Sequence, residues 1–408
     1  MIDTTLAELT LNITDGKHGD CRDSEGSGYY FISCKDVKDG RINYDNARQI
    51  MPEDFAEAHK RTQLEPDDIL ITNSGTIGRM AYIVNTPLTH RTTFQKSVAI
   101  VKPNKTAVHP KYLYYQLYNC VQDFVNQSNG SAQKNLLLST MRAFKMHIHH
   151  DKQTQERIAE ILTAYDDLIE NNLNQIKLLE EAAQRLYKEW FVDLRFPGYE
   201  NTPIVDGVPE GWRQVCLDDI ISKITTGLNP RKNFVLGNGK NYYVTIKNMA
   251  NNSIYLNDKC DRIDDEAIEK INSRSDLQLG DILFSGIGTI GRVYMIDIPT
   301  TNWNVSESVF TIRASDLVSK EYLYLLLLSN SMQSYCDQNA HGAAQRGIRM
   351  ADLRAYKFYL PIKNLIDLFT LAVKPLINKT QYLRQQITLL EEARDRLLPK
   401  LMNGEIEV

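Results

Sequence analysis

Residues 286–291 read Gly-Ile-Gly-Thr-Ile-Gly, which is the glycine spacing that binds the pyrophosphate of a dinucleotide. Such a site needs a helix N-terminus directly after the glycines, because the first N–H groups of that helix bind the phosphates. Here Val-Tyr-Met-Ile follows at 293–296, which predicts a strand. An earlier copy of the segment has Asn73 in place of the first glycine, and Arg292 stands where a P-loop requires lysine. We therefore predict a turn between two strands here and not a nucleotide site.

A second motif, the Ser-x-x-Lys of an acyl-transfer nucleophile, occurs at Ser131 and Lys134. Its later copy has Ala343 in place of the serine, so we attribute the motif to chance. Metal-binding spacings such as HExxH and CxxC are absent, and the six cysteines are predicted to be reduced thiols. Amino-methyltransferase and nuclease motifs are absent as well. The sequence thus predicts no catalytic residue, no metal ligand and no cofactor in this chain, the alternative being a stand-alone methyltransferase or nuclease with degenerate motifs.

An internal repeat organises the elements that position these motifs. Residues 68–79 and 281–292 share Asp-Ile-Leu followed by Gly-Thr-Ile-Gly-Arg, at a shift of 213. Three further segments return at shifts of 211 or 212, namely 130–134 at 342–346, 142–145 at 354–357, and 178–182 at 389–393. A shift that is nearly constant along the chain indicates duplication. Each copy consists of a long variable region followed by a helix.

Each variable region is predicted to be α+β with a strand-dominated core. Tyrosine and leucine at helical spacing predict helices at 110–126 and 319–338. Short runs of β-branched and aromatic residues, bounded by Gly, Pro, Asn or Asp, predict strands at 29–33, 68–72, 98–101, 242–246, 291–296 and 309–312.

A long helix is predicted after each region, at about 152–190 and 364–402. In the first, apolar residues alternate by four and three, which is the seam of a coiled coil, and the polar Asn172 fills a gap in that seam. In the second, Pro375 interrupts the apolar stripe, and we expect it to kink or begin that helix. We expect the two helices to pair with each other rather than each to pack on its own domain. The residues predicted to make this pairing are Leu162, Ile169, Asn172, Ile176, Leu179, Leu186, Leu383, Ile387, Leu390 and Leu397.

Length, composition and charge restrict the class of protein. The 408 residues are 42% hydrophobic and 24% charged, which is typical of a soluble globular protein of two or three domains. No window of about 18 apolar residues occurs and the start does not read as a secretory signal, so we expect a cytoplasmic protein without a membrane span. The formal charge of -4 is not that of a protein that coats DNA. Acidity is concentrated in residues 151–196, with 10 acidic and 6 basic side chains, whereas residues 1–150 carry 16 and 17.

Two variable strand-rich domains, each followed by a similar long helix, resemble the specificity subunit of a Type I restriction-modification system. The resemblance covers essentially the whole chain and rests on the two Leu-Leu-Glu-Glu-Ala helices, the two Gly-Thr-Ile-Gly-Arg segments and Val-Pro-Glu-Gly-Trp at 208–212. The first half departs from it in lacking a Pro-x-Gly-Trp opening. The domains implied are target-recognition domain 1 at 1–150, spacer helix 1 at 151–196, a linker at 197–211, target-recognition domain 2 at 212–362, and spacer helix 2 with the C-terminal tail at 363–408.

In function, the resemblance implies that each recognition domain reads one half of a bipartite target in double-stranded DNA. The two helices, paired as an antiparallel coiled coil, would hold the domains apart. Two modification subunits carrying S-adenosylmethionine would dock on this scaffold and methylate adenine, and restriction subunits using ATP and magnesium would join for cleavage. The chain itself would be non-catalytic. The alternative is a non-enzymatic adaptor whose duplicated domains bind protein on a coiled-coil rod, and DNA binding with a steep salt dependence distinguishes the two.

Base contacts need only a few side chains in each domain, with Arg or Lys paired to guanine and Asn or Gln to adenine. A solvated surface charge is an equally good account of any single candidate. Arg79 and Arg292 also fit a structural role or phosphate contact, because their segments repeat although the two domains should read different sequences. The candidates for DNA contact are Lys17, Asn73, Arg79, Lys134, Arg231, Lys232, Arg292, Arg346 and Arg349.

Overall fold

The computed structural model describes residues 1–38, 40–128, 135–342 and 346–408. The chain divides into two compact units, of which the first comprises residues 1–171 and 387–408 and the second residues 172–386. Each unit contains one sequence repeat together with a part of each long helix.

The first repeat contains ten strands among its described residues: β1 (Ile2–Thr5), β2 (Thr10–Asp15), β3 (Tyr30–Ile32), β4 (Val37–Lys38), β5 (Arg41–Ile42), β6 (Ile69–Thr72), β7 (Met80–Tyr82), β8 (Thr92–Phe94), β9 (Val98–Pro103) and β10 (Lys145–Ile148). Its helices are α1 (Pro52–Thr62), α2 (Pro110–Asn119), α3 (Val121–Asn126), α4 (Leu138–Ala143) and the long α5 (Lys152–Phe191).

The strands of the second repeat and of the segment before it are β11 (Ile204–Val205), β12 (Val208–Pro209), β13 (Arg213–Cys216), β14 (Ile221–Thr226), β15 (Asn241–Val244), β16 (Met249–Ala250), β17 (Ser253–Ile254), β18 (Asp261–Ile263), β19 (Ile282–Ser285), β20 (Val293–Met295), β21 (Trp303–Val305), β22 (Val309–Ala314) and β23 (Lys357–Leu360). The helices are α6 (Pro230–Asn233), α7 (Asp265–Ser275), α8 (Lys320–Leu328), α9 (Asn330–Gln338), α10 (Met350–Arg354) and the long α11 (Lys363–Met402).

Both repeats form the same sheets. An antiparallel sheet of order β2-β9-β6-β7 in the first corresponds to β14-β22-β19-β20 in the second. The parallel pair β3–β8 corresponds to β15–β21, and the antiparallel pair β1–β10 to β13–β23. Strands β6 and β19 are buried along their whole length, which explains why they are continuous apolar runs in the sequence. The duplication seen in the sequence is therefore a duplication of fold.

The predicted strands all occur, and their ends agree with the prediction to within two residues. Strands β19 and β20 pair antiparallel and are connected by residues 286–292. The predicted turn between two strands is therefore confirmed. The helix predicted at 110–126 is two helices that meet at Cys120, and the helix predicted at 319–338 is interrupted at Ser329. Helices α1 and α7 were not predicted, because each is short and largely polar and buries only a few residues.

The two long helices are 40 residues each, or about 60 Å. At the start of α5 the Asp151 carboxylate accepts a hydrogen bond from the Thr154 N–H at 2.8 Å, which caps the helix. The expectation that Pro375 begins the second helix is wrong, because α11 begins at Lys363 and continues through the proline. None of the helices in the described ranges combines the length and the apolar content needed to cross a membrane.

Each unit buries its part of the helix pair in a hydrophobic core. In the first unit, Ile158 and Leu162 of α5 lie in one cluster with Leu398 and Leu401 of α11. In the second unit the later part of α5 and the early part of α11 share a cluster that includes Ala183, Tyr187, Phe369, Val373 and Ile377. The start of α5 thus meets the end of α11, and the helices pair antiparallel as predicted.

Candidate nucleic-acid interface

Four loops meet at one end of the four-stranded sheet in the first repeat. They follow β2 and β6 and precede β4 and β9. The Asn73 N–H donates to the Ser97 carbonyl at 3.0 Å, and the Cys34 N–H donates to the Ser97 hydroxyl at 3.2 Å. The Gln95 N–H donates to the Ile32 carbonyl at 2.8 Å. We call this set, residues 16–18, 33–36, 73–79 and 95–97, the loop end of the first repeat.

The second repeat builds the same loop end from residues 227–229, 245–248, 286–292 and 306–308. The Gly286 N–H donates to the Ser308 carbonyl at 2.9 Å, and the Ser306 N–H donates to the Val244 carbonyl at 2.8 Å. Gly16 and Gly227 are required at equivalent positions, since a Cβ there would lie 2.0 Å from the Phe94 carbonyl oxygen and 1.6 Å from that of Val305. The backbone of the two loop ends is therefore held by the same contacts.

A side-chain cap fixes one turn of each loop end. In the first repeat the Asp36 carboxylate accepts hydrogen bonds from the N–H and hydroxyl of Ser33, at 2.9 and 2.7 Å. In the second, the Asn248 side-chain oxygen accepts the same two bonds from Thr245, at 3.0 and 3.1 Å. Each turn presents one exposed lysine, Lys35 in the first repeat and Lys247 in the second.

Arg79 and Arg292 occupy equivalent, half-buried places, and each bonds to backbone carbonyls of its own domain. The Arg79 guanidinium donates to the Cys34 carbonyl at 3.2 Å, and that of Arg292 donates to the Ile246 carbonyl at 2.7 Å and to the Met249 carbonyl. Both side chains therefore tie the Gly-Thr-Ile-Gly-Arg loop to the capped turn. Of the two roles that the sequence left open, this geometry supports the structural one.

The remaining DNA-contact candidates divide by exposure. Lys17 lies in the first loop end and pairs with Glu57 at 3.1 Å. Asn73 is only 5% exposed, so in this conformation its side chain does not reach the surface. The Arg346 carbonyl accepts from the Gly288 N–H at 2.7 Å, which places Arg346 beside the second loop end. Arg231 and Lys232 are exposed on α6, and Arg349 is exposed at the start of α10. Lys134 and Ser131 lie outside the described residues.

Sequence reasoning missed three exposed lysines at the loop ends, namely Lys35, Lys96 and Lys247. Lys96 lies beside Lys17, whose carbonyl accepts its N–H at 3.2 Å. Lys35 and Lys247 are related by the repeat shift of 212, which is the signal that could have found them. The neighbouring residues differ in the two turns, so the match is a single identity and is easily overlooked.

In each unit, an ion pair between described residues joins α5 and α11. In the first, the Arg394 guanidinium lies 2.7 Å from the Asp166 carboxylate, which also accepts from the Tyr115 hydroxyl at 2.6 Å. In the second, Arg384 pairs with Glu180, to which the Asn252 side chain donates at 3.2 Å. Burial raises the pKa of Glu180, and Arg384 and the Asn252 amide offset only part of this shift. Each ion pair also joins the helices to the domain of its own unit.

Every residue predicted to pair the helices is buried or half-buried. Leu162 is completely buried in the core of the first unit, and Leu186 packs against the core of the second. The buried members are Leu162, Ile169, Ile176 and Leu383, and the half-buried members are Asn172, Leu179, Leu186, Ile387, Leu390 and Leu397. The partner of each side chain in the seam stays a prediction.

Several leucines of α5 and α11 are exposed instead, and two of them lie in the repeated motif. Leu178 on α5 is 63% exposed and Leu389 on α11 is 58% exposed. Each is the first leucine of a Leu-Leu-Glu-Glu-Ala motif, so the two are equivalent in the repeat. An apolar side chain that is exposed at the same place in both copies suggests a binding surface present twice.

The amino-acid sequence matches one family model in two blocks, residues 18–181 and 209–388, which is described as the Type I restriction modification DNA specificity domain. The chain belongs to this family. Each match covers most of one repeat and extends into the long helix that follows. The resemblance drawn from the duplicated motifs is therefore confirmed.

Relatives in this family are similar along most of their length. The Type I restriction enzyme MjaIX specificity subunit of Methanocaldococcus jannaschii is 27% identical over 354 residues, which cover 83% of this chain and 78% of that protein. The Type I restriction enzyme HindI specificity subunit of Haemophilus influenzae is 25% identical over 377 residues, 75% of this chain and 80% of that one. The crystal structure of a Type-I restriction-modification system S subunit from M. genitalium has a TM-score of 0.57 at 13% identity, covers 98% and 96% of the two chains, and shows the shared fold.

Within the described ranges, no three His, Cys, Asp or Glu side chains are grouped so that they could hold a metal ion. The six cysteines are unpaired, with Cys21, Cys260 and Cys336 buried and the other three half-buried. The ammonium groups that the loop ends expose, those of Lys35, Lys96 and Lys247, are hydrogen-bond donors suited to phosphate and base edges.

Proposed function

We propose that this chain is the specificity subunit of a Type I restriction-modification complex and that each repeat reads one half of a bipartite DNA target through its loop end. One observation carries the proposal. The two loop ends share the capped turn, the close glycine and the half-buried arginine, while most of the side chains they present differ. A conserved frame with variable side chains is what two half-site readers need, because phosphate contacts position a domain and base contacts specify the sequence.

The side chains of the two loop ends differ in their chemistry and not only in their size. Lys17 and Lys96 of the first loop end correspond to Leu228 and Glu307 of the second, and Glu307 accepts a hydrogen bond from the Asn229 side-chain amide at 2.7 Å. Lysine donates to guanine, whereas asparagine and glutamate suit adenine and cytosine. The two loop ends should therefore prefer different bases.

The helix pair supplies the scaffold in this proposal. Its length sets the spacer between the half-sites, and it holds two modification subunits that carry S-adenosylmethionine, with restriction subunits supplying ATP- and magnesium-dependent cleavage. The chain contributes no catalytic group of its own. The two methylase subunits would each cover one of the equivalent exposed leucines, Leu178 and Leu389, because a duplicated surface fits two copies of one partner.

A domain exchange tests the reading of the half-sites. The chain is co-expressed with the methylase subunits of its source, and modified adenines are mapped by sequencing. Replacing residues 1–150 with the corresponding domain of another family member should change one half of the methylated sequence and leave the other half and the spacer unchanged. A change in both halves, or no methylation by the wild-type complex, would refute the proposal.

Substitution of the exposed leucines tests the docking surface. L178D/L389D should abolish co-purification of the methylase subunits, and each single variant should retain one of two copies, as measured by the mass of the complex. L168D is the matched control, since Leu168 is 50% exposed on α5 but its repeat position is Lys379. Full methylase binding by the double variant would show that the subunits dock elsewhere.

A further inference from the structure

We propose that Lys35 and Lys247 are equivalent, sequence-independent contacts to DNA phosphate, one in each loop end. The inference rests on the proposed function and adds to it the residues that position the domains rather than those that read bases. The two lysines correspond at a shift of 212 and stand at the same place in the capped turns.

Both side chains are exposed and available. Neither lysine makes an ion pair with any of the described residues, in contrast to Lys17, which pairs with Glu57. The acidic neighbour Asp36 is buried and its carboxylate is occupied by the N–H and hydroxyl of Ser33. In the second turn the capping residue is the neutral Asn248, so the common feature of the two turns is the lysine and not the capping charge.

The turn that carries each lysine is held rigidly. One carbonyl of each turn accepts a hydrogen bond from the half-buried arginine of the same repeat, that of Cys34 from Arg79 and that of Ile246 from Arg292. The repeated arginine therefore fixes the turn, and the repeated lysine projects from that turn. A fixed backbone reduces the conformational entropy that a long side chain loses on binding.

The equivalence of the two lysines in the two domains indicates which part of the DNA they contact. Two domains that read different bases have no common base contact to preserve, whereas the phosphate backbone is identical in both half-sites. A shared cation within otherwise different loop ends therefore fits phosphate.

A second pair of repeated exposed lysines, Lys145 and Lys357, provides a matched control. They lie in β10 and β23, outside the loop ends. In the strand ladder, the residue opposite Lys145 donates its N–H to the Glu8 carboxylate at 2.7 Å. The residue opposite Lys357 donates its N–H to the Asp219 carboxylate at 2.8 Å. These lysines thus stand beside local negative charge, which disfavours the approach of phosphate.

The test measures the affinity of the chain with its methylase subunits for a duplex that carries the mapped target, over a series of salt concentrations. The slope of log K against log salt concentration is negative, and each lost phosphate contact makes it shallower by about 0.9. K35Q/K247Q should therefore make the slope shallower by roughly 1.8. Both half-site sequences should stay the same. K35R/K247R should retain the wild-type slope, because the charge is kept, and so should K145Q/K357Q.

An unchanged slope in K35Q/K247Q, with wild-type binding intact, would overturn this inference and leave the proposed function standing. A change in the methylated sequence would also overturn it, since the lysines would then read bases. Loss of methylase binding without a change in slope would assign the lysines to a protein interface. Absence of DNA binding by the wild-type complex would instead count against the proposed function itself.

Discussion

The Nη1 atom of Arg394 on α11 lies 2.7 Å from the Oδ1 atom of Asp166 on α5, and this contact joins the two long helices within the first unit. Burial by itself lowers the pKa of Arg394, but the hydrogen bonds to Asp166 and Asp395 outweigh it, so the net pKa is raised. The Asp166 carboxylate also accepts from Tyr115 of the domain. A single carboxylate thus connects α5 to α11 and to the sheet domain.

Removing the cation should destabilise the first unit. R394M leaves Asp166 with one hydrogen bond in a half-buried site, and we expect the free energy of unfolding to fall by about 1–2 kcal/mol, between the values for exposed and buried pairs. Urea denaturation measures it. R396M is the control, since Arg396 is 82% exposed and 3.9 Å from Glu392, and it should cost less than about 0.5 kcal/mol. Equal losses in both variants would show that the pair adds nothing specific.

The raised pKa of Asp68 predicts that the stability of the protein depends on pH. Burial raises the pKa of Asp68 to about 6, and its contacts with Lys102 and the Glu65 N–H offset only part of this. The protonated form is therefore favoured by folding, so this contribution is full below about pH 4 and is lost as the pH rises through about 6. D68N cannot ionise, and its stability relative to wild type should improve by about 2–3 kcal/mol between pH 4 and pH 7. Thermal melting at both pH values checks this, and a pH-independent difference would contradict it.

The half-buried arginines give a prediction that separates structure from recognition. R292M removes the guanidinium donor from the Ile246 and Met249 carbonyls, although the Ile246 carbonyl keeps the Met249 N–H, and we expect the second domain to lose about 1–3 kcal/mol of stability. The half-site sequence and the salt slope of DNA binding should not change, because the guanidinium is engaged by two backbone carbonyls of its own domain. A slope reduced by about 0.9 in a variant of normal stability would make Arg292 a phosphate contact after all.

The repeat, the seam and most strands could be predicted because each leaves a local pattern in the sequence. The function of Arg292 could not, because its acceptors lie 46 and 43 residues earlier in the chain and are backbone carbonyls, which carry no sequence signature. Asn73 was a reasonable base contact by residue type, yet the pairing of its backbone with Ser97 places it inside the loop end. Polar loops are positioned by long-range hydrogen bonds, and these become visible only in the fold.

The length of the helix pair gives the last prediction, which concerns the spacer of the target. Four residues inserted after Asn172, with a matching four after Gln386, leave both interhelical ion pairs with their partners, since Asp166 and Arg394 lie on one side of the insertion and Glu180 and Arg384 on the other. The insertion advances each helix by about 6 Å and rotates it by about 40°. One base pair of DNA advances about 3.4 Å and rotates about 34°.

The preferred spacer should therefore grow by one or two base pairs while both half-site sequences stay the same, and methylation mapping measures this directly. An insertion of seven residues would preserve the heptad seam better, but it returns the helix to nearly its original orientation. Three base pairs of DNA, by contrast, turn the duplex by about 100°. The four-residue insertion therefore matches the rotation of the duplex more closely. The control is the same insertion in α5 alone, which shifts the seam of one helix against the other and should abolish methylation. An unchanged spacer in a folded and active double-insertion variant would show that something other than the paired helices sets the distance.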